Sequence, residues 1–110
     1  MDRKQIEKVI KTYLAELSEK IKIEKAILFG SARYGKVDKN KDIDLLILSP
    51  SFAKMDGNRR FDLLYTARKS QVTQSVSMDI FGLTPKEYAS ANSLSIVGEI
   101  KETGEEIFGR

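Results

Sequence analysis

Two short apolar runs constrain this chain most. "KAILFG" closes on Gly30, and "DIDLLIL" opens on Asp42 and is stopped by "SPS". Both are continuous apolar stretches of strand length, so both read as buried strands. Between them, "SARYG" suits one helical turn and "KVDKNK" an exposed polar loop. The second strand begins with two carboxylates flanking Ile43. Side chains two apart on a strand share a face. Asp42 and Asp44 therefore point one way and Ile43 points into the other layer.

The remaining segments surround such strands with helices. Ile6, Val9, Ile10, Tyr13, Leu14, Leu17 and Ile21 recur at three and four residues. They predict an amphipathic helix from Asp2 to Lys20, with Asp2 as N-cap. Phe61, Leu64, Tyr65 and Arg68 predict a second helix from Gly57 to Lys69, whose Phe61, Leu64 and Tyr65 stripe faces the core. Arg59, Arg60, Arg68 and Lys69 read as a solvated charged surface. "SVSMDIFG" alternates and reads as a third strand. "TPKE" carries a capping box, with Thr84 as N-cap, Pro85 at the first helical position and Glu87 three beyond the cap. A helix over Leu94 to Glu102 stops at Gly104, and "EEIF" forms a last short strand. The expected fold class is α/β (α+β): a small mixed sheet flanked by helices, built as a single domain over residues 1–110.

Composition excludes several chemistries. The chain has no cysteine and no histidine, so disulfides, thiolate metal sites, His-based triads and histidine-ligated zinc are absent. Catalysis must rest on carboxylates, lysines, arginines, hydroxyls, backbone dipoles or a hard metal ion. Net charge is +3, from 19 basic and 16 acidic residues. That mild excess permits a phosphate-bearing ligand without demanding one. No apolar run approaches the roughly 20 residues that span a bilayer, and the charged N-terminus does not resemble a signal peptide. A cytoplasmic location without membrane contact is expected.

Three features can carry chemistry. Asp42 and Asp44 place two like charges on one strand face, which favours a compensating cation. Magnesium takes oxygen ligands, typically one or two carboxylates plus substrate phosphates. Taken in isolation, the pair reads first as a solvated strand start. Gly30-Ser31 after a strand allows a sharp turn, and its N–H groups with the Ser31 hydroxyl suit a phosphate. It also suits an ordinary strand-to-helix turn. It is not a Walker A loop, because Gly35-Lys36 is followed by valine. Asp79 lies in an apolar alternating strand on the face opposite Met78 and Ile80. It either faces water from an edge strand or joins Asp42 and Asp44 from a neighbouring one. Arg33 is within reach of a phosphate held at Ser31. Lys36, Lys39 and Lys41 form a basic loop, either solvated or steering an anion.

Together, Phe29-Gly30-Ser31, ten intervening residues, Asp42-Ile43-Asp44-Leu45 and a later strand aspartate resemble the DNA polymerase beta-type nucleotidyltransferase superfamily. The short length resembles its minimal nucleotidyltransferase (MNT) group, small domains often encoded beside a helical HEPN partner. The resemblance runs from the first helix to "EEIF". It implies that Gly30, Ser31 and Arg33 contact the phosphates of a nucleoside triphosphate, and that Asp42, Asp44 and Asp79 bind two magnesium ions. It further implies transfer of a nucleoside monophosphate, AMP from ATP first among them, to a hydroxyl acceptor such as a tyrosine of a HEPN-type toxin.

Two other functions stay open. One is an antitoxin that neutralises such a toxin by binding alone. The other is a catalytic subunit for small-molecule nucleotidylation, which ranks lower because its relatives carry additional domains. Nothing in the chain resembles a grip for primer and template, so nucleic acid is not the expected partner. Base preference, acceptor and oligomeric state are not readable from the sequence.

Overall fold

A computed structural model describes residues 1–30 and 42–109. Helix α1 (Arg3–Leu17) begins at Asp2. The Asp2 carboxylate accepts from the Gln5 backbone N–H at 2.8 Å, and the Gln5 side chain accepts from the Asp2 N–H at 2.8 Å. This reciprocal capping satisfies two otherwise orphaned donors. Its buried stripe is the expected one: Ile6, Val9, Ile10, Tyr13, Leu14 and Leu17. The helix ends at Leu17, three residues before Lys20, where the Ser18 hydroxyl turns back onto the Ala15 carbonyl at 2.8 Å.

Strands β1 (Lys25–Phe29) and β2 (Ile43–Leu48) pair antiparallel, with Phe29 opposite Asp44. A short 3₁₀ helix (Pro50–Lys54) follows, then α2 (Gly57–Thr66), α3 (Gln71–Gln74) and β3 (Met78–Leu83). The chain continues through α4 (Pro85–Ala89), α5 (Ile96–Thr103) and β4 (Glu105–Gly109). The sheet order is β3-β2-β1-β4; β3 runs parallel to β2, and β4 antiparallel to β1. Among the described residues the fold is therefore a mixed four-stranded sheet with helices, matching the expected small mixed sheet flanked by helices. Among the described residues no helix is long and apolar enough to cross a membrane.

The two sheet faces differ. Ala26, Leu28, Ile43, Leu45, Ile47, Met78 and Ile80 pack with α1, Phe52 and Leu64 in the main core. Ile27, Leu46, Leu48 and Ile100 form a smaller cluster on the other face, joined by Phe29, Leu83 and Tyr88. The Thr84–Glu87 capping box stands as read. Gly104 does end α5, but in an extended conformation with φ −71°. A Cβ there would lie 2.6 Å from Ile27 Cγ2 and from the Ile100 carbonyl, so close packing selects glycine.

Several expectations are corrected. Helix α2 stops at Thr66 rather than Lys69, because the Lys69 and Ser70 N–H groups turn to the Glu16 carboxylate at 3.0 and 2.6 Å. That contact launches α3, which no periodicity in the sequence announces. Helix α5 starts at Ile96, since Ser95 is its N-cap, and Leu94 stays almost fully exposed. Phe61 is 57% exposed and so is not core, whereas Leu64 is buried. Nor is Arg60 a solvated surface residue. All five of its N–H donors are used, on the carbonyls of Met55, Gly82 and Phe52 and on both carboxylate oxygens of Glu87.

Candidate active site

The smaller face of the sheet carries the carboxylates. Asp44 stands on β2 between Phe29 of β1 and Asp79 of β3, its partners in register on either side. The parallel pairing of β2 with β3 thus brings Asp79 beside Asp44. Asp42, one residue before β2, accepts a short hydrogen bond from the Ser77 hydroxyl. The next turn of the ladder holds there too, as Ile43 N–H donates to the Ser77 carbonyl at 3.0 Å. Ser77 was legible only as an alternating strand position; its hold on Asp42 depends on the pairing.

Electrostatics tie the three acids together. Burial, then the Asp79 charge, then the Asp42 charge push the Asp44 carboxyl up to about 6. Asp79 is also raised, by desolvation, by the Asp42 charge and by a hydrogen bond with Asp42. Among the described residues no lysine or arginine forms an ion pair with any of them. This is an all-oxygen, over-negative donor set, which suits a hard divalent cation in charge and ligand type. It is not a finished cage: among the described residues no three acidic side chains already have metal-ligand spacing.

Gly30 is shaped by the same site. Its φ is +72°, the left-handed region that favours glycine. A Cβ at this position would lie 2.3 Å from Asp44 Oδ2. Gly30, directly after β1, therefore lies against the Asp44 carboxylate, joining two features that were separate motifs in the sequence. Ser31, Arg33, the "SARYG" turn and the Lys36, Lys39 and Lys41 loop lie outside the described residues. Beside the acids, a groove of about 610 Å³ is lined by Phe29, Leu46, Phe61, Asp79, Phe81 and Ile96, among others. The Phe29 and Phe81 rings lie 6.1 Å apart within it.

Comparison with known proteins bears on the family and the fold. The family model of the nucleotidyltransferase domain matches residues 10–105. The chain belongs to the nucleotidyltransferase domain family. Its fold is similar to a putative nucleotidyltransferase from Sulfolobus solfataricus, with TM-score 0.69, 16% identity, and coverage of 98% of this chain and 84% of that one. It is also similar to a toxin–antitoxin with AMP-PNP, at TM-score 0.63, 20% identity, and 91% and 73% coverage. A third similar structure is the toxin–antitoxin MntA–HpeT, a mutant with two aspartates replaced by glutamate (TM-score 0.61, 19% identity, 91% and 72% coverage). No curated protein matches the chain.

Proposed function

We propose that this protein is a metal-dependent nucleotidyltransferase of the MNT group. It moves a nucleoside monophosphate, AMP from ATP, onto a hydroxyl of a protein partner, a tyrosine of a HEPN-type toxin. The observation that carries this reading is the in-register Asp44–Asp79 pair with Asp42 coupled to both, uncompensated among the described residues. The fold's likeness to toxin–antitoxin proteins supports the choice of partner.

Asp42, Asp44 and Asp79 would hold two magnesium ions. When bound, these supply charge neutralisation for the attacking and leaving oxygens. Asp79 is the most exposed of the three and faces the groove. With its carboxyl raised, it is suited to accept the acceptor's proton. The acceptor oxygen bonds to the α-phosphorus as the bond to pyrophosphate breaks. Gly30, with Ser31 and Arg33, would cradle the phosphates of ATP.

The test is incubation with labelled ATP, magnesium and the product of the neighbouring gene, read as AMP addition by mass. Transfer no greater than that of Asp42→Asn/Asp44→Asn across plausible acceptors would sink the reading. A second reading, an antitoxin acting by binding alone, draws on the exposed Phe61, Phe81 and Ile96 around the groove. It predicts that the double asparagine variant still protects cells from the toxin. Loss of protection despite intact binding would reject it.

A further inference from the structure

Among the described residues, strand β3 stands at one end of the sheet order, paired with β2 on one side only. In a parallel ladder, alternate residues of a strand turn their N–H and C=O toward the partner strand, and those between turn outward. The Ser77 and Leu83 carbonyls accept from Ile43 and Ser49 N–H at 3.0 Å each, so the odd-numbered residues of β3 face β2. The backbone N–H and C=O groups of Met78, Ile80 and Gly82 therefore face outward, where no strand stands among the described residues.

Helix α2 fills that side. The Tyr65 hydroxyl donates to the Met78 carbonyl at 3.2 Å and accepts from the Ile80 N–H at 2.9 Å. Two rungs further along, Arg60 Nη1 donates to the Gly82 carbonyl at 3.1 Å. A hydroxyl is both donor and acceptor, so Tyr65 replaces one rung of a missing neighbour strand. The rung it replaces brackets Asp79, one residue to each side. The tyrosine ring is fixed independently of its hydroxyl. Phe61 lies 4.3 Å away centroid to centroid, and the Arg68 guanidinium sits 5.2 Å over its face.

We propose that Tyr65 is a positioning residue acting through Asp79. Its hydroxyl locks the peptide units before and after Asp79, while β2 holds the strand from the other side. The Asp79 carboxylate is thereby aimed at Asp44 and Asp42 and held there as an ordered donor. Edge strands fray more easily than central ones, since half of their backbone groups lack a partner strand. A metal ligand on such a strand needs this second anchor. The inference rests on the reading that Asp79 belongs to the active site.

The test uses the full chain and Mn²⁺ as the probe, with free Mn²⁺ followed by electron paramagnetic resonance. Tyr65→Phe removes the hydroxyl and keeps the ring. It should weaken Mn²⁺ binding at least fivefold and lower kcat for nucleotidyl transfer ten- to a hundredfold, with KM for ATP within twofold. In an Asp79→Asn background the same substitution should have no further effect on Mn²⁺ affinity, as expected when one residue acts through the other. Arg60→Lys disturbs the same edge at Gly82; it should lower the melting temperature and leave Mn²⁺ affinity unchanged. Independently of any variant, the Ile80 amide of the wild type should exchange slowly with deuterium.

Wild-type Mn²⁺ affinity and kcat in Tyr65→Phe, alongside impairment in Asp79→Asn, would overturn the positioning role while leaving the site intact. Equal weakening by Arg60→Lys would overturn it as well, reducing Tyr65 to general edge support. A rapidly exchanging Ile80 amide would remove its structural basis. Asp79→Asn that binds Mn²⁺ and turns over like wild type would overturn the reading of the site itself, and the inference with it.

Discussion

Asp44→Asn should stabilise the metal-free protein. The Asp44 carboxyl rises from an ordinary 3.8 to about 6, chiefly through burial and then through the Asp79 and Asp42 charges. The folded state thus binds a proton there more tightly than the unfolded chain does. Its stabilising contribution is full below pH 3.8 and is lost as pH rises through 6. At pH 8 the ionised carboxylate costs the fold about 3 kcal/mol at most, from about 2 units at about 1.4 kcal/mol each. Water reaching this half-buried site screens part of that, leaving about 1–2 kcal/mol. Asparagine keeps the shape and removes the charge. A domain of this size gains several degrees in Tm per kcal/mol, so melts at pH 8 in EDTA and low salt should rise by roughly 5–10 °C. The gain should hold from pH 8 to about pH 7, shrink as the buffer falls through pH 6, and close near pH 4. Magnesium should then raise the Tm of the wild type and not of the variant. A variant no more stable than wild type at pH 8, or a gain independent of pH, would refute the electrostatic account of the site.

Three further outcomes follow from named contacts. The Arg60 fork and the Thr84 N–H hold the Glu87 carboxyl down at about 2, so its contribution is present above pH 4.5 and is lost as pH falls through 2. Because Glu87 is nearly half exposed, Glu87→Gln should cost about 1 kcal/mol at pH 7 by urea denaturation, a difference that closes in acid. Gly30→Ala meets both a positive φ and the Asp44 carboxylate at 2.3 Å. It should lower stability by about 1–3 kcal/mol and depress nucleotidyl transfer more than substrate binding. Tyr13→Phe leaves the Leu64 carbonyl without the hydroxyl that donates to it at 2.6 Å in the core. Thermal or urea unfolding should show a loss of about 1–3 kcal/mol.

Much of this fold was legible because its signals are local. The α1 stripe, the two apolar strands and the Thr84–Glu87 box each announce themselves within a few residues, and each is present in the structure. What sequence reasoning missed depends on partners distant in the chain. Helix α3 exists because Glu16, more than fifty residues earlier, takes the Lys69 and Ser70 N–H groups and the Thr73 hydroxyl. Arg60 looked like any helix-surface arginine; its neighbours are carbonyls delivered by β3, the 3₁₀ segment and the α4 capping glutamate. Phe61 and Tyr65 fell on a helical stripe with Leu64, yet only Leu64 is fully buried. Periodicity reports which face of a helix is turned inward. It does not report that the element beneath is a strand edge, with polar groups that a tyrosine hydroxyl meets.

The site's geometry is fixed by residues that take no part in it. Along β2, Ile43, Leu45 and Ile47 are fully buried in the main core, while Asp44, Leu46 and Leu48 turn to the other face. A slip of one residue in the pairing would drive Asp44 into the main core and turn Ile43, Leu45 and Ile47 out of it onto the other face. Burying a Leu or Ile is worth about 1.5–3 kcal/mol and a carboxylate brought into the core is costlier still, so the register holds by a margin larger than the about 1–2 kcal/mol that ionised Asp44 costs the fold through burial and its acidic neighbours. The same logic holds on β3, where Met78 and Ile80 are buried and flank exposed Asp79. Alternation therefore lets one strand serve two purposes. Its inward residues set the register, and that register delivers Asp44 and Asp79 to each other across the parallel pair, against a repulsion that would otherwise part them.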